Sequence, residues 1–195
     1  YLKILHPAMI AVEPQSGKVK AWVGDLNYKY FQYDQVEAPR QVGSVFKPVV
    51  YSAAIHQGTR LDAYYKNEQK TYPEYDDWSP RNSDNNYEGY YTLKGALSKS
   101  INTIAVEVLL QTGDHARRLG ITSELPPYPS LALGVADIPL QEMVRPFMTF
   151  ANNGNLRPIY YLEEIKDRQG NLIFKAQPEI PRQVLPENEA HLMSN

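Results

Sequence analysis

The chain has 195 residues, 43% hydrophobic and 22% charged, with a net charge of −2 at pH 7, an ordinary globular composition. The charge balance argues against a nucleic-acid binder, which would carry a basic stripe, and no run of 18 or more apolar residues offers a membrane span. No cysteine is present, which excludes disulfides, thiolate metal sites and a cysteine nucleophile. The length fits one domain or a large part of one. A start at Tyr1, with no initiator Met and no signal peptide, is expected of a segment or processed form of a longer protein.

Residues 8–24 read as a hairpin. Ala8-Met9-Ile10-Ala11-Val12 and Val19-Lys20-Ala21-Trp22-Val23 are the strands, and Pro14-Gln15-Ser16-Gly17 supplies the turn. Alternation in the second strand puts Val19, Ala21 and Val23 on the core face and Lys20 and Trp22 outward. A polar, Tyr-rich linker leads to residue 39. From Gln41 to Thr59 the only formal charge is Lys47, and Val45 to Ile55 is almost wholly apolar or small. A segment apolar on all sides predicts a buried helix, beginning near Ser44 and stopped by Gly58. Pro48 is tolerated there at the edge of the first turn.

Residues 59–91 show no period. Seven tyrosines and Trp78 lie in this stretch, which is long for a loop; it either packs over the core or lines a groove. Residues 92–110 are helical, with Thr92 as N-cap and Gly113 as stop. Either one helix runs through, or two meet at Ser100-Ile101-Asn102 and expose the side chains of Ser100 and Asn102. Residues 114–134 are loop-like. A helix over 140–152 should be kinked by Pro146 and ends at Asn153-Gly154. A second hairpin spans 158–176, turning at 167–171. A short helix starts with Pro186 at its first position.

Ser44 and Lys47 are three apart, so on a helix they share a face one turn apart. Ser44 then sits at the positive end of the helix dipole. Burial of Lys47 disfavours its charged form and lowers its pKa. A lysine neutral near pH 7 can take the proton of a serine hydroxyl. Ser-x-x-Lys alone is weak, since roughly one occurs by chance in such a chain, and a core helix with a snorkelling lysine is the alternative. Two stretches fit Ser-x-Asn. Ser83-Asp84-Asn85 lies in a polar, turn-rich run and is set aside. Ser100-Ile101-Asn102 borders an apolar helix; Ser100 could relay a proton from Lys47 and Asn102 could hold Lys47 or a substrate amide, or both could simply cap the helix from Thr103. His6, His56, His115 and His191 form no metal spacing or triad. No Gly-rich phosphate loop is present.

These residues, in order, resemble the transpeptidase domain of class A penicillin-binding proteins, in the penicillin-binding and serine β-lactamase-like superfamily. The resemblance rests on Val12-Glu13-Pro14-Gln15-Ser16-Gly17-Lys18-Val19, on Arg40-Gln41-Val42-Gly43-Ser44-Val45-Phe46-Lys47-Pro48 and on Trp78-Ser79-Pro80-Arg81-Asn82. It continues through residues 91–103, Pro129-Ser130-Leu131-Ala132-Leu133-Gly134 and Phe150-Ala151-Asn152-Asn153-Gly154. It implies an α+β fold, an antiparallel sheet flanked by helices with a largely helical subdomain. Residues 1–195 would be the N-terminal part of that domain, incomplete at its C-terminus. The family's third motif, Lys-Thr/Ser-Gly, is not in the chain, so the chain alone is expected to be inactive. The link between Gly113 and Leu119 is shorter than the family usually has, and the sequence leaves open whether residues are missing near Gly113-Asp114.

The resemblance also implies roles. Ser44 would be acylated by the penultimate D-alanine of a peptidoglycan stem peptide, and its backbone N–H would be half of the oxyanion hole. Lys47 would be its base. Ser100 and Asn102 would help proton transfer, and Asn102 would also hold substrate. β-Lactam antibiotics would acylate the same serine. No metal or organic cofactor is implied, and no nucleic acid. A membrane anchor and a glycosyltransferase domain are expected upstream of Tyr1, placing the protein outside the cytoplasm, in the periplasm or on the outer face of the membrane. The alternatives are a D,D-carboxypeptidase or β-lactamase on the same fold, or a non-catalytic β-lactam sensor or wall-binding module.

Overall fold

A computed structural model describes residues 5–112, 115–177 and 179–195, and the backbone alone of 111 and 112. They form two compact units, one from the described parts of Tyr1–Pro39 and Pro139–Asn195, the other from Arg40–Ile138. Strands and helices mix in both, and the class is α+β.

In the first unit the expected hairpin is present. β1 (Met9–Val12) pairs antiparallel with β2 (Val19–Val23), with Ile10 opposite Trp22. The Glu13 carbonyl accepts from Gly17 N–H at 2.8 Å to close the turn. The expected faces hold only in part. Val23 is exposed and Trp22 half-buried, because its indole N–H donates to Asp34 Oδ2 at 2.7 Å. A register shift between Ala11 and Val12 also disturbs the alternation.

The second unit opens with β3 (Arg40–Gln41), a 3₁₀ turn (Gly43–Phe46) and α1 (Lys47–His56). α1 buries Val49, Val50, Tyr51, Ser52, Ala53, Ala54 and Ile55, as a helix apolar on every side must. Each fully buried Val or Ile contributes about 1.5–3 kcal/mol. The aperiodic stretch after it is tied down by β4 (Tyr64–Lys66), which pairs with β5 (Tyr90–Thr92), and by a 3₁₀ turn at Pro73–Tyr75. Its tyrosines divide: Tyr72 is buried, while Tyr64 and Tyr90 face solvent.

Two helices follow, meeting at Ser100: α2 (Leu93–Ser98) and α3 (Asn102–Thr112). Thr92 caps α2 as expected, its Oγ1 accepting from Gly95 N–H at 3.0 Å. α3 packs on α1 and on a 3₁₀ turn at Pro129–Leu133, burying Ile104, Ala105, Val106 and Val108. Gly113, the expected stop, and the neighbouring Asp114 lie outside the described residues. β6 (Asp137–Ile138) closes the unit by pairing with β3.

The chain then returns to the first unit. α4 (Leu140–Ala151) continues through the buried Pro146. β7 (Asn155–Leu156) pairs with β10 (Arg182–Gln183), and β8 (Glu164–Lys166) with β9 (Leu172–Lys175). The β8–β9 turn falls where expected, since Asp167 Oδ1 accepts from the N–H groups of Gln169 (2.9 Å) and Asn171 (2.8 Å). In α5 (Glu187–Ser194), Pro186 is the N-cap rather than the first helical residue; its extended ψ of 144° puts it one position outside. Among the described residues the five strand pairs are each a two-stranded antiparallel sheet.

Candidate active site

Ser44 stands in the 3₁₀ turn that leads into α1, not on the α-helix itself. Pro48 is the cause. An α-helix through this point needs the N–H of residue 48 to bond Ser44 O, and proline has none; its ring would also press on that carbonyl. The turn tightens, and Lys47 N–H takes Ser44 O instead. Residues three apart in a 3₁₀ turn eclipse one another, so Ser44 lies over Lys47 more directly than an α-turn would place it. Ser44 is exposed and Lys47 buried.

The entry to this turn is fixed from the opposite side. Gly43 has φ +57° and donates its N–H to Gly134 O at 2.9 Å. Gly134 has φ +74°, and a Cβ there would lie 2.0 Å from Gly43 O. Only glycine allows that approach. Gly134 thus sets the backbone immediately before Ser44.

Lys47 is 1% exposed. Its ammonium donates to Ser100 O at 2.6 Å, Ser100 Oγ at 2.8 Å and Asn102 Oδ1 at 2.6 Å. These account for its three donors. Burial lowers its pKa to about 8, because desolvation disfavours the charged form.

Ser100 presents two of those three acceptors because of its backbone. With φ +53° it occupies the left-handed position after α2 where glycine is usual. Ile101 N–H bonds back to Ala96 O at 3.0 Å and Ser100 N–H to Leu97 O at 2.9 Å, closing α2. The strained residue turns its carbonyl and hydroxyl to the same ammonium. Asn102 opens α3, and its Nδ2 donates to Arg81 O at 2.6 Å.

The structure therefore brings Lys47, Ser100 and Asn102 into direct contact and sets Ser44 one tight turn from Lys47. It leaves Ser83-Asp84-Asn85 in an exposed turn, with Asn85 at φ +53°. The histidines fall elsewhere: His6 bonds Asp25 at 2.7 Å, and His56 bonds Arg118 at 2.7 Å and stacks near His115. Among the described residues no group of three or more His, Asp or Glu side chains converges as a metal site would require. The expected Ser/Asn capping of α3 is not what is found. The cap is Asn82, whose Oδ1 accepts from the N–H groups of Asn102 (2.9 Å) and Thr103 (3.2 Å). Sequence reasoning passed over both Asn82 and Gly134 as contributors to the site. Asn82 sits in the polar run 81–86, and the only available signal was its place in Trp78-Ser79-Pro80-Arg81-Asn82.

Residues 8–122 match the family described as the penicillin binding protein transpeptidase domain. The chain is 32% identical over 195 aligned residues to penicillin-binding protein 1A of Neisseria meningitidis, covering 94% of this chain and 24% of that protein. It is 33% identical to penicillin-binding protein 1A of Aquifex aeolicus, covering 96% of this chain and 27% of that one. The chain thus spans about a quarter of the length of these relatives. Among solved structures, penicillin-binding protein 1A from Haemophilus influenzae superposes with a TM-score of 0.83 at 29% identity, covering 89% of this chain and 27% of that one. Penicillin-binding protein PonA1 from Mycobacterium tuberculosis in complex with penicillin V shares the fold, with a TM-score of 0.83 at 24% identity, covering 94% and 52%.

Proposed function

We propose that this chain, which belongs to the penicillin binding protein transpeptidase family, carries the nucleophile side of a peptidoglycan D,D-transpeptidase. One observation carries the reading: a buried lysine, one tight turn from an exposed serine, whose ammonium is bound to Ser100 O, Ser100 Oγ and Asn102 Oδ1.

The chemistry follows from those partners. Two of the three acceptors, the Ser100 carbonyl and the Asn102 amide oxygen, can only accept. They hold two hydrogens of the amine whichever state it is in. When Lys47 loses a proton, its lone pair is left toward Ser100 Oγ, the one of the three partners that can donate to it. Ser44 Oγ attacks the carbonyl of the penultimate D-alanine and its proton passes to Lys47 Nζ. The terminal D-alanine leaves, taking a proton by way of Ser100 Oγ, and Ser44 holds the acyl group. An amine of a second stem peptide attacks this ester and gives its proton back along the same path to Ser44 Oγ, whose bond to the acyl carbon breaks as the cross-link forms. Ser44 N–H is one donor to the oxyanion. A pKa near 8 leaves about a tenth of Lys47 neutral at pH 7, against under a thousandth for an ordinary lysine.

β-Lactams would acylate the same serine, as the penicillin V complex of PonA1 suggests by analogy. Residues 1–195 would be the N-terminal part of the transpeptidase domain, and the strand with the Lys-Thr/Ser-Gly motif would come from elsewhere in the protein. A membrane anchor, a glycosyltransferase domain and a site of action outside the cytoplasm would belong to the whole protein. Among the described residues no helix is long and apolar enough to cross a membrane.

The test is labelling of the full-length protein with a fluorescent penicillin, followed by peptide mapping. Label on Ser44, absent in Ser44→Ala, is expected, together with cross-linking of a stem-peptide substrate. A label lost within seconds would point to a hydrolase on the same fold. A stable label without cross-linking would point to a sensor. No label on Ser44 would overturn the acyl-transfer reading.

A further inference from the structure

We infer that Asn82 is a positioning residue for acyl transfer, acting through Asn102 on Lys47; the inference rests on the reading of Lys47 as base. α3 begins without a cap of its own. Ile101, the residue before it, has no polar side chain, and Ser100 Oγ is engaged with Lys47. The first-turn N–H groups of Asn102 and Thr103 are satisfied from a distant segment, by Asn82 Oδ1 at 2.9 and 3.2 Å. Losing an N-cap costs about 0.5–2 kcal/mol, but here the cap also sets where the first residue of the helix points.

The Asn82 side chain is buried, and both ends of its amide are used. Nδ2 donates to Asn67 Oδ1 at 2.8 Å and Asn86 O at 2.8 Å, with a longer contact to Thr103 Oγ1. Thr103 Oγ1 donates in turn to Asn67 Oδ1 at 2.8 Å, and Asn67 Nδ2 reaches Asn86 O at 3.0 Å. The network is closed, so Asn82 has one arrangement rather than several.

Asn102 inherits that rigidity. Its backbone N–H is held by Asn82 and its side-chain Nδ2 by the carbonyl of Arg81, the adjacent residue. A carbonyl accepts only, so it fixes which end of the Asn102 amide faces it. The oxygen end is thereby aimed at Lys47, at 2.6 Å. Residues 81 and 82 thus orient the acceptor that orients the base, and neither touches Lys47 in the bonds found here.

The experiment is a double-mutant cycle in the full-length protein, read as the acylation rate constant and the pre-acylation binding constant with a fluorescent penicillin. Asn82→Ala is expected to lower the acylation rate constant about 10–100-fold, as an ångström-scale misplacement does, with binding changed by less than about threefold. Asn102→Ala should lower the acylation rate constant at least as much, and binding as well, since Asn102 also faces the substrate. The double variant should fall within about twofold of Asn102→Ala, because both remove one contact. Asn82→Asp keeps the capping acceptor and, as the neutral acid that the facing acceptors Asn67 Oδ1 and Asn86 O favour, keeps one donor to them; it is expected to acylate at least about fivefold faster than Asn82→Ala, and within about tenfold of wild type should the alanine variant fail to fold. Effects that simply multiply, an Asn82→Ala rate within twofold of wild type, or an aspartate variant below these limits would overturn the inference alone. Absence of label on wild type would overturn the acyl-transfer reading, and this inference with it.

Discussion

Ser100 offers a perturbation that separates backbone from hydroxyl. Its φ of +53° costs a residue with a Cβ about 1–2 kcal/mol relative to glycine. Glycine gives back about 0.4–1 kcal/mol through its freer unfolded chain. Ser100→Gly should therefore be more stable than Ser100→Ala by about 0.5–1 kcal/mol. Both variants keep the carbonyl that accepts from Lys47 at 2.6 Å, and both lose the hydroxyl that accepts at 2.8 Å. If the hydroxyl relays the proton, both should acylate about 10²-fold or more slowly at pH 7, and by similar factors. Denaturant unfolding gives the first comparison and fluorescent-penicillin labelling the second. A glycine variant that acylates at the wild-type rate would show that Ser100 matters only as backbone. An alanine variant as stable as the glycine variant would refute the claim that the left-handed turn is strained.

Three further outcomes follow. Acylation by a β-lactam should rise with pH and level off above about 8, the depressed pKa of the buried Lys47, because the base must be neutral; stopped-flow labelling from pH 6 to 10 checks this, and a rise continuing to the ordinary lysine value would contradict it. His115 is buried, its Nε2 has no hydrogen-bond partner among the described residues, and burial, His56 and Arg118 hold its pKa down to about 4. The unfolded chain therefore binds a proton first as pH falls through about 6.5, and stability falls by up to about 3 kcal/mol on the way to pH 4. His115→Leu should flatten that part of the stability profile, and an unchanged profile would exclude His115 as its source. Gly134→Ala drives a Cβ to 2.0 Å from Gly43 O, and should slow Ser44 labelling at least about tenfold by moving the turn before it; wild-type labelling by this variant would refute the role of that backbone contact.

Much of the architecture was legible because it follows from local rules. The buried helix inside residues 41–59 was legible, since a single charge in that length leaves little face for water, although only Lys47–His56 is α-helical. Both hairpins announced themselves by turn residues. Thr92 capped its helix, as a threonine before an apolar run does. Lys47 was legible too, because a lone ammonium in such a helix must be desolvated. The site's finer geometry was not, for reasons that are tertiary. The effect of Pro48 depends on which carbonyl it would have served, and only the register of the turn decides that. Trp22 reads outward by alternation, yet turns in because Asp34 comes within 2.7 Å of its indole nitrogen. Asn82 caps a helix that starts twenty residues later, and no spacing rule reaches that far.

The same irregularities make the candidate site. Three residues break local regularity around the candidate site: Pro48 forces a 3₁₀ turn, Gly43 enters it at positive φ, and Ser100 takes a left-handed conformation with a Cβ. Each has its own cost, and each is held by long-range contacts: Gly134 against Gly43, and α2's closing hydrogen bonds around Ser100. A regular α-helix through Ser44 would relax the first two, yet three steps of about 100° would leave the serine about 60° around the axis from Lys47 rather than eclipsed over it. A glycine at 100 would relax the third and remove the hydroxyl. Stability alone would favour both changes, so strain held at these turns supports the role proposed for them. The surrounding fold therefore has a second task besides burying α1, which is to hold these turns against their own preferences. That is why residues such as Gly134 and Asn82, which carry no chemistry themselves, belong to the proposal for how Ser44 and Lys47 would act.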